Sequence, residues 1–343
     1  MSESTAGAAM ARRENLGEMS ESGTIVVTGA DGFIGRGLVA QFESEARGYR
    51  ALVRRIDPAR RQGPDLRAVG DLAATPDAEL DVLLAGARAV VHLAGRAHIL
   101  EETDPEPAAA FASANVHATV RLARAAVRAG VRRFVFASSV KVNGEASAPG
   151  RPFTPRDPPK PRDAYARSKA NAERELAAIC KGTSTSAIVM RLPLVYGPGV
   201  KGNFLTLLDE VARGRPLPLG AIRNRRSILY VGNLADAIGA ALDAPVPPAG
   251  VHFVTDAQSV SVPALVAAMG TALGIPVRLK SVPVRLLQLA GQVTGRRALI
   301  DRLVGTLEAD STSFRGATGW QPRHSSAEGI DATARWWKLR HSI

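Results

Sequence analysis

Residues 24–35 read Thr24-Ile25-Val26-Val27-Thr28-Gly29-Ala30-Asp31-Gly32-Phe33-Ile34-Gly35. A short apolar run meets a glycine cluster, and the residues that follow, to Glu45, keep helical apolar spacing at Phe33, Ile34, Leu38 and Phe42. A strand, a turn and a helix in that order make a site for phosphate groups. Gly29 permits the tight turn, Gly32 lets backbone N–H groups approach a diphosphate, and Gly35 lets the helix pack close to the strand. Phe33 and Ile34 open the helix, whose N-terminus supplies partial positive charge.

The same alternation continues along the chain. Tyr49–Val53, Ala89–Leu93, Arg133–Ala137 and Ala187–Met190 read as further strands. Ala108–Ala129 reads as a long Ala-rich helix stopped by Gly130, and Ala164–Lys181 as another stopped by Gly182. Strands alternating with helices predict right-handed βαβ units, and so an α/β fold with a doubly wound parallel sheet. After Arg191 the texture changes, with Pro193, Gly197, Pro198, Gly199 and Gly202 close together. This predicts a Rossmann domain over 23–191 and a smaller C-terminal substrate-binding region over 192–343. That region is interleaved with the last strands, for instance Ser227–Val231 and Val251–Thr255. Residues 1–22 are polar, lack the apolar segment of a secretory signal, and read as a disordered tail.

With 343 residues the chain is long enough for about two domains. Aromatics are only 5%, so Ala, Val and Leu must do most of the packing. The single cysteine, Cys180, excludes an intramolecular disulfide and zinc sites built from several cysteines. The six histidines lack ligand spacing, so no metal is expected. No apolar run approaches the ~20 residues of a membrane span, and the expected compartment is the cytoplasm. Basic residues number 44 against 32 acidic, a formal charge of +12, and all but seven of the 44 are arginine. Such an excess points to an anionic partner. The arginines are dispersed and no helix-turn-helix stands out, so nucleic acid is not expected. Val284–Arg297 is apolar with arginines at its ends; core packing or a cover over the substrate is preferred there to a membrane-surface helix.

Tyr165 and Lys169 are four apart on a predicted helix and share one face. A free tyrosine, with pKa near 10, is a poor proton exchanger at neutral pH. A nearby lysine cation favours the phenolate. Ser139, just past a predicted strand, is placed to hydrogen-bond a hydroxyl or ketone. At the end of the second strand an acidic residue would bind a ribose 2′-hydroxyl, but Arg54-Arg55 stand there and can pair with a 2′-phosphate. NADP(H) is therefore favoured, with NAD(H) possible because Asp57 lies close by.

The glycine spacing is G-x-x-G-x-x-G. With Val90-Val91-His92-Leu93-Ala94-Gly95, Ser138-Ser139, Tyr165-x-x-x-Lys169, Arg191-Leu-Pro-Leu-Val-Tyr-Gly-Pro198 and Gly319-Trp320-x-Pro322, it resembles the extended short-chain dehydrogenase/reductase family. Within that family it resembles the UDP-glucose 4-epimerase-like nucleotide-sugar epimerases and dehydratases. The resemblance runs from residue 24 to about 337. It implies a catalytic Ser139, Tyr165 and Lys169, with Tyr165 and Lys169 also touching the cofactor, and cofactor contacts from Leu93, Ala94 and Gly95. Asp71-Leu72 resembles the adenine-side contact, though Asp71 can equally cap a helix. Arg226 matches the arginine that binds a sugar nucleotide's diphosphate, and Asn203-Phe204 matches a second substrate segment. Arg96 either borders the sugar or faces solvent, and Lys141 either contacts sugar or phosphate or is solvated.

Two departures matter. Dehydratases follow the catalytic Ser/Thr with Asp-Glu, whereas Val140-Lys141 occupy those places here, which disfavours dehydration. Epimerases often carry an asparagine where this chain has Leu194. The expected activity is hydride transfer at C4 of a UDP-linked hexose, with a 4-ketoreductase favoured over a 4-epimerase on Arg54 and Leu194. A non-catalytic NAD(P)-binding regulator would not need Ser139, Tyr165 and Lys169 together. The resemblance also implies a homodimer through the helices over Ala108–Ala129 and Ala164–Lys181.

Overall fold

A computed structural model describes residues 23–57, 65–97, 106–295 and 297–341. The tail expected over 1–22 lies outside the described residues. Seven strands form one parallel sheet: β1 (Thr24–Thr28), β2 (Tyr49–Val53), β3 (Leu66–Ala68), β4 (Ala87–His92), β5 (Arg133–Ser139), β6 (Ser186–Leu192) and β9 (Gly250–Phe253). Their order is β3-β2-β1-β4-β5-β6-β9, so the winding reverses between β1 and β4. The central strands β1, β4, β5 and β6 are wrapped on both sides, as their largely apolar sequences require, whereas the edge strand β3 is mostly exposed.

Alternate residues of β1 show how two cores arise. Ile25 and Val27 face one layer, formed by α1 (Phe33–Ser44) and α7 (Val231–Asp243) through Leu38, Phe42, Leu234 and Ile238. Val26 faces the other, formed by α2 (Asp77–Leu84), α4 (Ala118–Arg128) and α5 (Ala164–Cys180). Ala123, Ala125 and Ala126 are fully buried, and their small side chains let α4 lie close to the sheet and to α5.

The predicted helix over Ala108–Ala129 is helical almost throughout but not α-helical throughout. It runs as α3 (Pro107–Phe111), a π-helical stretch over Ala112–His117, and then α4. A π stretch shifts the register of every later side chain, and such insertions recur at functional sites.

The C-terminal region departs from expectation in one strand. β8 (Ile228–Tyr230) does not join the main sheet; it pairs in parallel with β7 (Leu194–Tyr196) as a separate two-stranded ribbon. Pro193, between β6 and β7, has no N–H to donate and ends the β6 ladder. Around the ribbon, α6 (Asn203–Ala212), α8 (Val262–Leu273) and α12 (Ser326–His341) pack through Phe204, Leu208, Met269 and Trp337. α9 (Val284–Val293) and α10 (Arg297–Val304) pack on each other, and α11 (Thr312–Thr318) returns Phe314 to the main core. Among the described residues no helix is long and apolar enough to cross a membrane.

Candidate active site

The glycine turn lies at the C-terminal edge of β1, beside the reversal of strand order. Gly29 has φ +65°, and a Cβ there would stand 2.7 Å from the Ala94 backbone nitrogen. At Gly35 a Cβ would fall 2.1 Å from the Gly29 carbonyl oxygen. No side chain survives that contact, so α1 meets the turn backbone to backbone. Gly32 is the N-cap of α1 and brings no side chain, which leaves the first-turn N–H groups without a side-chain acceptor. A close-packed turn, bare of side chains and ending on open N–H groups, fits a dinucleotide diphosphate.

The loop after β4 is tied down from both sides. Thr28 Oγ1 lies 2.7 Å from His92 Nδ1, His92 Nε2 lies 3.0 Å from Thr119 Oγ1, and the Ala94 N–H donates to Thr28 Oγ1 at 3.2 Å. Burial, helped by the Lys169 charge, pushes His92 down to about 3, so its ring is neutral and ties β1, β4 and α4 together. Asn115, in the π stretch, accepts from the Arg96 N–H at 2.8 Å and donates to the Arg96 carbonyl at 3.1 Å and to Ser168 Oγ at 2.9 Å. Gly95 faces that amide: a Cβ there would stand 2.7 Å from Asn115 Oδ1 and 3.4 Å from Lys169 Nζ.

Ser139 closes β5, and Tyr165 and Lys169 sit one turn apart on α5. Tyr165 and Ser139 share a hydrogen bond. Burial pushes the Tyr165 phenol up to about 12, against the pull of that bond and with a smaller push from Asp163. Lys169 is buried; its Nζ donates to the Ala137 carbonyl at 2.9 Å and lies 4.7 Å from the centre of the Phe136 ring. Burial lowers it to about 8, opposed by Glu173, so it stays charged at neutral pH. Asp163 caps α5 by accepting from the Ala166 N–H at 2.7 Å. Lys141 donates to the other Asp163 oxygen at 2.8 Å and lies 3.6 Å from Glu145. It thus ties the turn after Ser139 to the cap of the helix that carries Tyr165.

Ser139, Lys141 and Tyr165 border a cavity of about 740 Å³. Its far walls come from the C-terminal region and include Leu194, Asn203, Phe204, Arg226, Arg302 and Leu303. Arg226 Nη1 donates to the carbonyls of Arg302 at 2.6 Å and Gly305 at 3.0 Å. Burial first, and then the Arg302 charge, lower the Arg226 pKa, and no described carboxylate pairs with it. Two crowded cations on one wall make a place for an anion. Arg302 was not among the residues singled out from sequence. Its Nη2 lies 3.8 Å from Glu145 Oε1.

The family model that matches, over residues 25–254, is that of the NAD dependent epimerase/dehydratase family. The chain belongs to this family. A UDP-glucose 4-epimerase of Vibrio cholerae is 37% identical over 318 residues, covering 91% of this chain and 94% of the relative. Among solved structures, MoeE5 in complex with UDP-glucuronic acid and NAD superposes with a TM-score of 0.72 at 27% identity, covering 94% of this chain and all of that one. The Thermus thermophilus UDP-glucose 4-epimerase complex with NAD, at 22% identity, shares the fold with a TM-score of 0.73 over 93% of this chain and all of that one.

The remaining expected contacts of this family member fall as follows. Arg54, Arg55 and Asp57 are all exposed beyond β2, and the Arg54 carbonyl accepts from the Gly70 N–H at 3.2 Å. Asp71 Oδ1 accepts from the Ala73 N–H at 3.0 Å within a turn; the next helix, α2, starts at Asp77 with Pro76 as its N-cap, so Asp71 caps no helix. The Leu72 side chain is buried in the core under the sheet, so a ligand contact from it falls to its backbone. Arg96 holds its guanidinium 5.4 Å from the Phe111 ring centre and does not line the cavity. Asn203 opens α6 after Gly202, which has φ +67°. Phe204 is fully buried and stacks on Tyr196 at 5.0 Å, so its side chain belongs mainly to the core. Among the described residues no group of three His, Cys, Asp or Glu side chains is placed to hold a metal ion.

Proposed function

We propose that the chain is an NAD-dependent 4-epimerase of a UDP-linked hexose. The observation that carries the reading is that the hydrogen-bonded Ser139–Tyr165 pair opens on the same cavity as Asn203, Arg226 and Arg302. The 37% identity to a UDP-glucose 4-epimerase supports epimerisation ahead of reduction. When bound, NAD supplies the hydride acceptor and a positive charge.

The residues divide the remaining work. Tyr165 Oη takes the proton of the sugar C4 hydroxyl and later returns it. Its phenol, near 12 in the free chain, is a weak base at neutral pH; there the Ser139 hydrogen bond is what lowers it, and the positive charge of bound NAD would favour the phenolate further. Ser139 hydrogen-bonds the C4 oxygen. Arg226 and Arg302 hold the diphosphate, with Asn203 and the Phe204 backbone on the nucleotide side. Gly29, Gly32, Phe33, Ile34, Gly35, Leu93, Ala94 and Gly95 line the dinucleotide cradle, and the Asp71-Leu72 segment lies toward the adenine. Lys141 acts by fixing the Asp163 cap rather than by touching sugar. Val140 and Lys141 supply neither the acid nor the base that water elimination needs.

A 4-ketoreductase using NADPH is the second reading. It rests on the exposed Arg54 at the end of β2 and on Leu194 in the cavity wall. Denaturing the purified protein and identifying what it releases separates the two. Released NAD supports the epimerase; an empty protein that oxidises NADPH with a 4-keto-hexose nucleotide overturns it. A homodimer through α4 and α5 belongs to the same proposal, and sedimentation velocity of the purified chain reads it directly.

A further inference from the structure

Helix α9 carries an apolar stripe that the fold leaves uncovered. Leu286, Leu289 and Val293 are 56%, 56% and 82% exposed. Their spacing of three and four residues places them, with the exposed Ala290, on one face. The opposite face, through the buried Leu287 and Gly291, holds the helix to the protein. At Gly291 a Cβ would stand 3.1 Å from Ile300, so α9 lies tightly on α10. The stripe thus lies on a helix that is packed into the fold.

In sequence, its surroundings are basic. Between Asp256 and Asp301 the sequence has no aspartate or glutamate, while it has Arg278, Lys280, Arg285, Arg296 and Arg297. Arg278, Lys280 and Arg285 are exposed. Asp301, the first acid beyond the stretch, is engaged by Arg297 at 3.5 Å and by Gln288 at 3.2 Å. Three large exposed aliphatic side chains on a short helix in an acid-free, basic stretch have the makeup of an interfacial helix: the apolar face enters the headgroup boundary and the cations meet anionic lipid.

We infer that α9 docks the protein on an anionic lipid surface, with Leu286, Leu289 and Val293 inserted and Arg285, Arg278 and Lys280 facing the headgroups. Because α10 supplies Leu299, Arg302 and Leu303 to the cavity wall, docking holds that wall one helix away from the lipid. The inference goes beyond the proposed reaction and does not depend on it.

Co-sedimentation with vesicles tests it on the full chain. The wild type pellets with vesicles of mixed phosphatidylcholine and phosphatidylglycerol, stays in solution with phosphatidylcholine alone, and is released by high salt. The triple variant Leu286→Asp, Leu289→Asp, Val293→Asp keeps its thermal midpoint and loses binding by at least about tenfold. Arg285→Glu, which changes no apolar contact, weakens binding in the same direction and serves if the triple variant does not fold. Failure of the wild type to bind anionic vesicles overturns the inference. So does undiminished binding by the variants. A lipid-free oligomer that the triple variant breaks would assign the stripe to a second copy of the chain and overturn it too.

Discussion

Lys169 is a cation kept where a cation is costly. It is 6% exposed, sits over the Phe136 ring and donates to one carbonyl. Its folded pKa of about 8 lies below the ordinary 10.5. Between those values the unfolded chain binds more protons, so this group makes stability rise with pH, by at most about 1.4 kcal/mol per unit. Below pH 8 the full penalty applies. Lys169→Met is therefore expected to gain stability relative to the wild type at pH 7 in the cofactor-free protein, with the gain fading toward pH 10.5. Urea unfolding at several pH values reads this, and a gain that does not vary with pH contradicts it. At the same scale, the glycine turn was legible because its demand is steric: no other residue fits at Gly35. Arg302 was not legible. It meets Arg226 across 76 positions of chain, and no local pattern signals that meeting.

At the scale of elements, β1, β2, β4, β5, β6 and β9 were readable from apolar runs, and the helices before β5 and β6 from the stops at Gly130 and Gly182, which have φ +71° and +75°. The π stretch over Ala112–His117 was not, because its sequence has ordinary helical composition and its register shift is set by what Asn115 must reach. Nor was the pairing that braces α5. Glu173, one turn beyond Lys169, receives Arg191 Nη2 at 2.6 Å and a short hydrogen bond from Ser138, and Arg191 also reaches Asn143 at 2.8 Å. Both charged side chains are less than 10% exposed. A buried pair adds little over an apolar substitute, but removing one partner strands the other. Glu173→Gln is expected to cost about 3–5 kcal/mol by denaturant unfolding, and Glu173→Leu with Arg191→Met to recover most of it. A cost near zero for the single change would contradict the account.

At the scale of the molecule, the +12 charge resolves into parts. Many arginines meet exposed carboxylates, as Arg47 meets Asp243, Arg121 meets Asp77 and Arg128 meets Asp81, and such pairs contribute little. A smaller set faces the cavity, and another flanks α9. The central claim is that the cavity moves a hydride at C4 with Tyr165 as proton acceptor. Incubation of the purified protein with UDP-glucose deuterated at C4 tests it most directly, followed by NMR of the product. The account predicts UDP-galactose that keeps its C4 deuterium, formed about 10²–10⁴-fold more slowly by Tyr165→Phe. Loss of the label to water, or an undiminished rate in Tyr165→Phe, would contradict it.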